Sequence, residues 1–347
     1  MKLNFLQLPS EDRKLYIDEA AARRGLAPVI LEKDFWVCWL LHVLFEATFH
    51  DAIVFKGGTS LSKVFGVIDR FSEDIDLSLA PEFLGLGEPE LDASLSKGQA
   101  SKWMKKAEAE CIEAVRDRLT PELEGTVSDL LGKGQEPWLE FVVDPSSHSP
   151  VIFFRYPTSQ PAGFEYLKRS VKLEFGSLSE QRPTERHSIR PWIADVLPDA
   201  FTDWQCSVVA LDVHRTFWEK ATILHTEYHR PADKATPDRY SRHYADTAAL
   251  ALHPAASSAI SQDDLRHRVV NWKSLFFSSG WARYDLAQAP TFNLVPPAER
   301  EKALRRDYEA MRDMYLTEPV SFDQIIATLT TVERQINRHE TPGAHRA

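Results

Sequence analysis

The sequence holds little that would serve for crosslinking, spanning a membrane or coating nucleic acid. Its three cysteines, Cys38, Cys111 and Cys206, are scattered, odd in number and without a CxxC pair. That spacing gives no disulfide framework and no thiolate zinc site, and it fits a reducing cytoplasm. Basic residues are in deficit: 41 Lys and Arg against 51 Asp and Glu leave a formal net charge of −10. A protein that grips nucleic acid with its whole surface needs a broad basic footprint, so that class is excluded, although local basic patches are not. Apolar runs are short as well. The most apolar stretch, Phe35 to Phe45, follows Glu32, Lys33 and Asp34, is interrupted by His42 and is followed by Glu46. A bilayer takes about 20 apolar residues, so this stretch reads as a buried helix and no membrane contact is expected. Met1 to Pro9 lacks the apolar run and cleavage site of a secretory signal, which again points to the cytoplasm. There is no internal repeat, heptad run or low-complexity tract.

What remains is an ordinary globular composition. With 347 residues, 43% hydrophobic and 27% charged, the chain can bury a real core in one elaborated domain or two. Ser10, with Glu11 and Asp12 behind it, can start a helix that Gly25 closes, and a second runs from Pro28 to about Ala47. Ala52 to Phe55 has the character of a short strand. It stops at Lys56-Gly57-Gly58, where Thr59 or Ser60 can cap another helix to about Val67. Ser72 to Leu79 alternates, with Ile75, Leu77 and Leu79 on one side and Asp74, Asp76 and Ser78 on the other, as a half-buried strand does. Lys97 to Leu119 reads as a helix and Gly125 to Pro137 as a connector. Leu139 to Val143, Val151 to Tyr156 and Ser170 to Phe175 read as strands. Beyond about Val208 the pattern is helical, through segments ending near Arg338. The expected organisation is an N-terminal α/β core over 1–205, a helical domain over 206–340 and a disordered tail over 341–347.

The chemistry concentrates between Lys56 and Leu77. Paired glycines after a strand let backbone approach a polyphosphate closely, and the following helix start offers N–H groups and partial positive charge to it. Lys56, Gly57, Gly58, Thr59 and Ser60 are the candidate nucleotide contacts on this ground. Asp74 and Asp76, one residue apart on a strand, project from the same face and repel each other unless they share cations. A divalent ion, Mg2+ or Mn2+, resolves that conflict and does the electrostatic work of nucleotidyl transfer. Glu174, on the polar side of the alternating run Val171 to Phe175, is the candidate third metal carboxylate. His225 and His229 stand four apart, but no glutamate adjoins the first histidine as HExxH requires, so zinc is set aside.

The run KGGTSLSKVFGVIDRFSEDIDLSL resembles the signature of the AbiEii nucleotidyltransferase toxins, which are similar to the MenT toxins and to the wider polymerase-β-like nucleotidyltransferases. Four further stretches resemble family motifs in the same order. They are Ile30 to Trp36, Val171 to Glu174, Phe217 to Lys220 and Ser241 to Asp246. The resemblance implies an α+β fold, a polymerase-β-like nucleotidyltransferase core of mixed sheet with helices followed by a helical C-terminal domain. It implies that Asp74 and Asp76 bind the metal, that Gly58 and Thr59 or Ser60 contact phosphate, and that Lys220 and Asp246 complete the catalytic set, with Arg242 beside the nucleotide. Lys220 could place positive charge against a triphosphate oxygen, and Asp246 could act as a base or an orienting acceptor. It further implies transfer of a nucleotide from NTP to an acceptor, in several members the 3′ end of tRNA. A cognate antitoxin is expected, as is a role in abortive infection and phage defence. Ser72 occupies the place where some relatives are phosphorylated by their antitoxin.

RNA could meet Lys102, Lys105 and Lys106, or Arg182, Arg186 and Arg190, or Arg305 and Arg306. Two other readings share these residues: a metal-dependent nuclease, which has little need of a glycine cradle, and a nucleotide-binding module that has lost its chemistry.

Overall fold

The computed structural model describes residues 5–72, 74–87, 89, 95–160, 168–201 and 204–338; the tail expected over 341–347 lies outside them. The chain forms two compact units. The first comprises 1–64, 71–88 and 103–211, and the second comprises 65–70, 89–102 and 212–347.

The first unit is built on helix α2 and a sheet. α1 (Ser10–Arg24) carries Glu11 and Asp12 in its first turn and closes at Gly25, whose left-handed conformation lets its N–H reach back to Ala21 and Ala22. α2 (Pro28–Glu46) starts with proline at its first position and is buried along nearly its whole length. Its Trp36 stacks on Tyr156 at 5.7 Å, while Trp39 stacks on Phe154 at 5.4 Å. After it come β1 (Ile53–Lys56), α3 (Gly57–Lys63), β2 (Asp74–Leu79), α4 (Lys97–Ala114), whose residues from Trp103 on belong to this unit, and α5 (Thr120–Leu131). Strands β3 (Leu139–Val143), β4 (Pro150–Phe154), β5 (Val171–Gly176) and β6 (Thr184–Ile189) follow, then α6 (Trp192–Val196) and β7 (Cys206–Leu211). The seven strands form one mixed sheet in the order β3-β4-β5-β2-β1-β7-β6. β2 pairs antiparallel with β1 and parallel with β5. One face turns Phe55, Ile75, Leu77, Leu79, Leu173 and Phe175 into the core. The opposite face of the same strands carries Lys56, Asp74, Asp76, Lys172 and Glu174.

Two local expectations give way to tertiary context, and one strand carries no signal in the sequence. Gly125 lies inside α5, because Leu123 and Val127 bury one helix face; that gain outweighs the cost of about 1 kcal/mol for a helical glycine. β6 has exposed, polar residues and no alternating apolar signal, as an edge strand allows. Cys206–Leu211, expected as the entry to the helical region, is the strand between β6 and β1.

Among the described residues the second unit holds five long helices. They are α7 (Val213–Tyr228), α8 (Ser241–Leu252), α9 (Asp263–Phe276), α10 (Ala298–Ala310) and α11 (Phe322–Arg338). The Asp212 carboxylate caps α7, accepting from the N–H groups of His214 at 2.9 Å and Arg215 at 3.1 Å. α8 packs against α7, α10 and α11, and α7 against α9. α11 is strongly amphipathic: Phe322, Ile325, Leu329, Val332 and Ile336 are its buried stripe. No helix of the described residues is long and apolar enough to cross a membrane.

Candidate active site

In the first unit the glycine turn and the acidic strand are built against each other. Register pairs Lys56 with Asp76, Asp74 with Lys172, and Asp76 with Glu174, so all five side chains share the polar face. Gly57 has φ of +80°, and a methyl placed on it would lie 1.9 Å from Asp76 Oδ2. The Asp76 carboxylate therefore occupies the space that any other residue at 57 would need. Lys56 Nζ donates to Ser179 Oγ at 2.6 Å.

α3 begins at Gly57, with Lys56 rather than Thr59 or Ser60 at its cap position and no side-chain cap. The first amides of a helix have no partner within it, so those of Gly57 and Gly58 are the groups this turn offers to an anion. Thr59 and Ser60 point inward and are fully buried. The Thr59 hydroxyl bridges the Asp74 carbonyl and Ser72 Oγ, the latter at 2.9 Å, and Ser60 Oγ has no hydrogen-bond partner.

Glu174 stands in register with Asp76, yet its carboxylate accepts from Lys172 Nζ at 2.6 Å. Among the described residues no three His, Cys, Asp or Glu side chains gather as a metal-ligand group. The donors that fit a divalent cation are the half-buried carboxylates of Asp74 and Asp76. Hard oxygen ligands of this number suit magnesium, which keeps waters and takes one or two carboxylates plus substrate phosphates.

In the second unit Asp246 is 1% exposed and triply engaged. Arg70 donates to it from Nε at 3.0 Å and Nη2 at 2.9 Å, and Lys220 from Nζ at 3.0 Å. Burial alone would raise this carboxyl, but the Arg70 and Lys220 charges outweigh it and hold it far below the usual carboxylate range. Such a group accepts hydrogen bonds and holds cations; it does not collect a proton near neutral pH. Beside it, burial and then the Lys220 and Arg242 charges keep His243 neutral, its Nδ1 buried without a partner. Arg242 itself is exposed on α8. A cavity of about 290 Å³ adjoins Asp246, lined by Arg70, Ala245, Tyr308 and Tyr315 among others. On α7, His225 is fully buried, and each of its ring nitrogens is used by backbone: Nε2 donates to the Arg283 carbonyl, and Nδ1 accepts from Asn293 N–H.

A model of the family described as "Nucleotidyl transferase AbiEii toxin, Type IV TA system" matches residues 39–328. The chain belongs to the AbiEii toxin family. MenT4, a nucleotidyltransferase toxin from Mycobacterium tuberculosis H37Rv, is similar in fold over 93% of this chain and 90% of its own, with a TM-score of 0.50 and 16% identity. No curated protein matches the chain. As an AbiEii toxin it is a nucleotidyltransferase, which makes NTP its substrate and an antitoxin its family partner. Two site neighbours of this AbiEii chain lie inside the motif stretches, yet their roles do not show in the sequence. Arg70 pairs with a carboxylate 176 residues away, and its only sequence signal is an arginine just ahead of the acidic strand. Lys172 declares itself only by alternating with Glu174.

Proposed function

We propose that this toxin transfers a nucleotide from NTP to the 3′ end of tRNA, using magnesium or manganese held by Asp74 and Asp76. The observation that carries the reading is the seating of the Asp76 carboxylate in the side-chain space of Gly57. It supports the reading because a carboxylate that would hold a cation then lies against backbone amides that would receive phosphate. A bound divalent cation would neutralise the triphosphate, favour ionisation of the attacking hydroxyl and stabilise the leaving pyrophosphate. Gly57 and Gly58 would receive the polyphosphate through their N–H groups. Within the second unit Lys220 would offer a compact positive charge of the kind a phosphate oxygen accepts, with Asp246 as its orienting acceptor, and exposed Arg242 would be the family's candidate for nucleotide contact. Glu174, tied to Lys172, would act beside the metal carboxylates as the partner that orients this lysine.

The tRNA assignment draws on the family resemblance, and exposed Lys102, Lys105 and Lys106 on α4 offer a local basic strip for the acceptor. An abortive-infection role in phage defence follows from the same reading. The test is incubation of the protein with each of four labelled NTPs and total tRNA in Mg2+. Label should enter the 3′ end for at least one NTP and vanish with EDTA or with Asp76→Ala. Strand cleavage in place of incorporation would overturn the reading in favour of a nuclease.

A further inference from the structure

α2 carries three consecutive charged residues, Glu32, Lys33 and Asp34, each no more than 3% exposed. Burying charge is costly unless it is paired, so each should have an assignable partner. Glu32 accepts from Thr158 and Ser159, and Lys33 donates to the Lys168 carbonyl at 2.8 Å. Asp34 reaches the glycine-headed helix. Its Oδ1 accepts from Lys63 Nζ at 2.7 Å, with the two side chains 3% and 5% exposed. Its Oδ2 accepts from the Trp192 N–H at 2.6 Å, and the Lys63 ammonium lies 4.6 Å from the centre of the Trp192 ring.

Lys63 is the last residue of α3. That helix has seven residues and opens with two glycines, so it has almost no stability of its own and takes its position from its tethers. Gly57 is held by contact with Asp76, and Thr59 by the Asp74 carbonyl. The far end is held by the ion pair. Packing alone does not require charge here, because well-packed apolar side chains commonly replace a buried ion pair without loss of stability. What the pair adds is a directional anchor on α2.

We infer that Asp34 and Lys63 form a positioning pair that fixes α3 so that the Gly57 and Gly58 amides meet the triphosphate. This rests on the reading of that turn as the NTP site. Neither residue touches substrate. The pair acts through the helix between Lys63 and Gly57, so its removal should weaken NTP binding while sparing Asp74 and Asp76 on the neighbouring strand.

The test uses the full chain and two variants. The double substitution Asp34→Asn with Lys63→Met removes both charges and keeps an acceptor for the Trp192 N–H. Asp34→Asn alone is isosteric and is the milder change. Equilibrium dialysis of the four NTPs in Mg2+, without acceptor, reads nucleotide affinity. Mn2+ titration without nucleotide reads the carboxylates. The expected result is at least tenfold weaker NTP binding in the double variant and several-fold weaker in the single one, with Mn2+ affinity within twofold of the parent in both. KM for NTP should rise more than kcat falls. Lys63→Arg, which keeps the charge and can lie on the Trp192 ring, should retain most of the affinity. Parental NTP affinity in either folded variant overturns the inference, as does an equal loss of Mn2+ and NTP binding, which marks general structural damage. Asp76→Asn separates the two levels. If it leaves transfer intact, the reading of the site itself falls; if it abolishes transfer while the pair variants bind NTP normally, only the positioning role falls.

Discussion

Gly57 combines a left-handed backbone with a side chain of another residue sitting where its own would be, so two separate penalties meet any substitution there. A non-glycine residue at this φ costs about 1–2 kcal/mol, and its Cβ would also dislodge the Asp76 carboxylate. Gly57→Ala should lower nucleotide transfer by a hundredfold or more while moving the thermal midpoint by only a few degrees; activity assays beside calorimetry would check this. Lys172 gives a second residue-scale outcome. Its ammonium meets Glu174 at 2.6 Å and feels Asp74, so it already supplies positive charge to the acidic face. Lys172→Met should tighten Mn2+ binding in the absence of nucleotide by about tenfold, equal to about 1.4 kcal/mol, as read by electron paramagnetic resonance titration. Unchanged Mn2+ affinity would mean that the lysine does not contend with the cation. At this scale the sequence was informative about faces and silent about partners. Alternation puts Asp74, Asp76, Lys172 and Glu174 on one side of their strands, but only the register shows that Asp76 faces Glu174, and only the side-chain geometry that Lys172 takes up Glu174.

Among the elements, α7 carries a buried histidine whose two ring nitrogens are both taken by backbone. His225 is fully buried, donates from Nε2 and accepts at Nδ1, so a second ring proton would face the Asn293 N–H. Burial foremost, opposed by the hydrogen bond to the Arg283 carbonyl and by Asp285 and helped by the His229 and Arg283 charges, brings its pKa down to about 4. The sign follows from that direction. The folded state prefers the neutral ring, so this contribution is fully present above the unfolded value of about 6.5 and shrinks as pH falls from there toward 4. About 3 kcal/mol is at stake over that interval. Urea midpoints should therefore drop between pH 7 and pH 4.5, and His225→Gln should flatten that slope even though it lowers stability at pH 7. Element types were readable where periodicity was strong, as in β2, β5 and α11, or where an apolar run was long enough for a buried helix, as in α2. They were not readable where tertiary contacts decide. Gly125 sits in a helix because Leu123 and Val127 are buried, and Thr184–Ile189 forms a strand because β7 offers it a hydrogen-bonding partner.

For the molecule as a whole, control by an antitoxin is the property that the family assigns and that a single hydroxyl could carry. Ser72 Oγ is bonded to Thr59, which also holds the Asp74 carbonyl. A phosphoryl group there would break that link and add charge of about −2 beside the metal carboxylates, opposing NTP. Ser72→Ala should arrest growth on induction as the parent does, yet escape rescue by a kinase-type antitoxin; rescue of that variant would move the control elsewhere. The same scale exposes a consequence of how the chain is threaded. Phe65–Arg70 and Pro89–Lys102 are early segments that belong to the later unit, where Arg70 closes on Asp246. A stop codon after Leu211 would thus remove Asp246, on which Arg70 closes, and a fragment starting at Asp212 would keep Asp246 and Lys220 but forfeit that guanidinium. Any cut at that seam would part Arg70 from the helices it serves. Splitting this chain should therefore succeed only when the Arg70 segment travels with those helices.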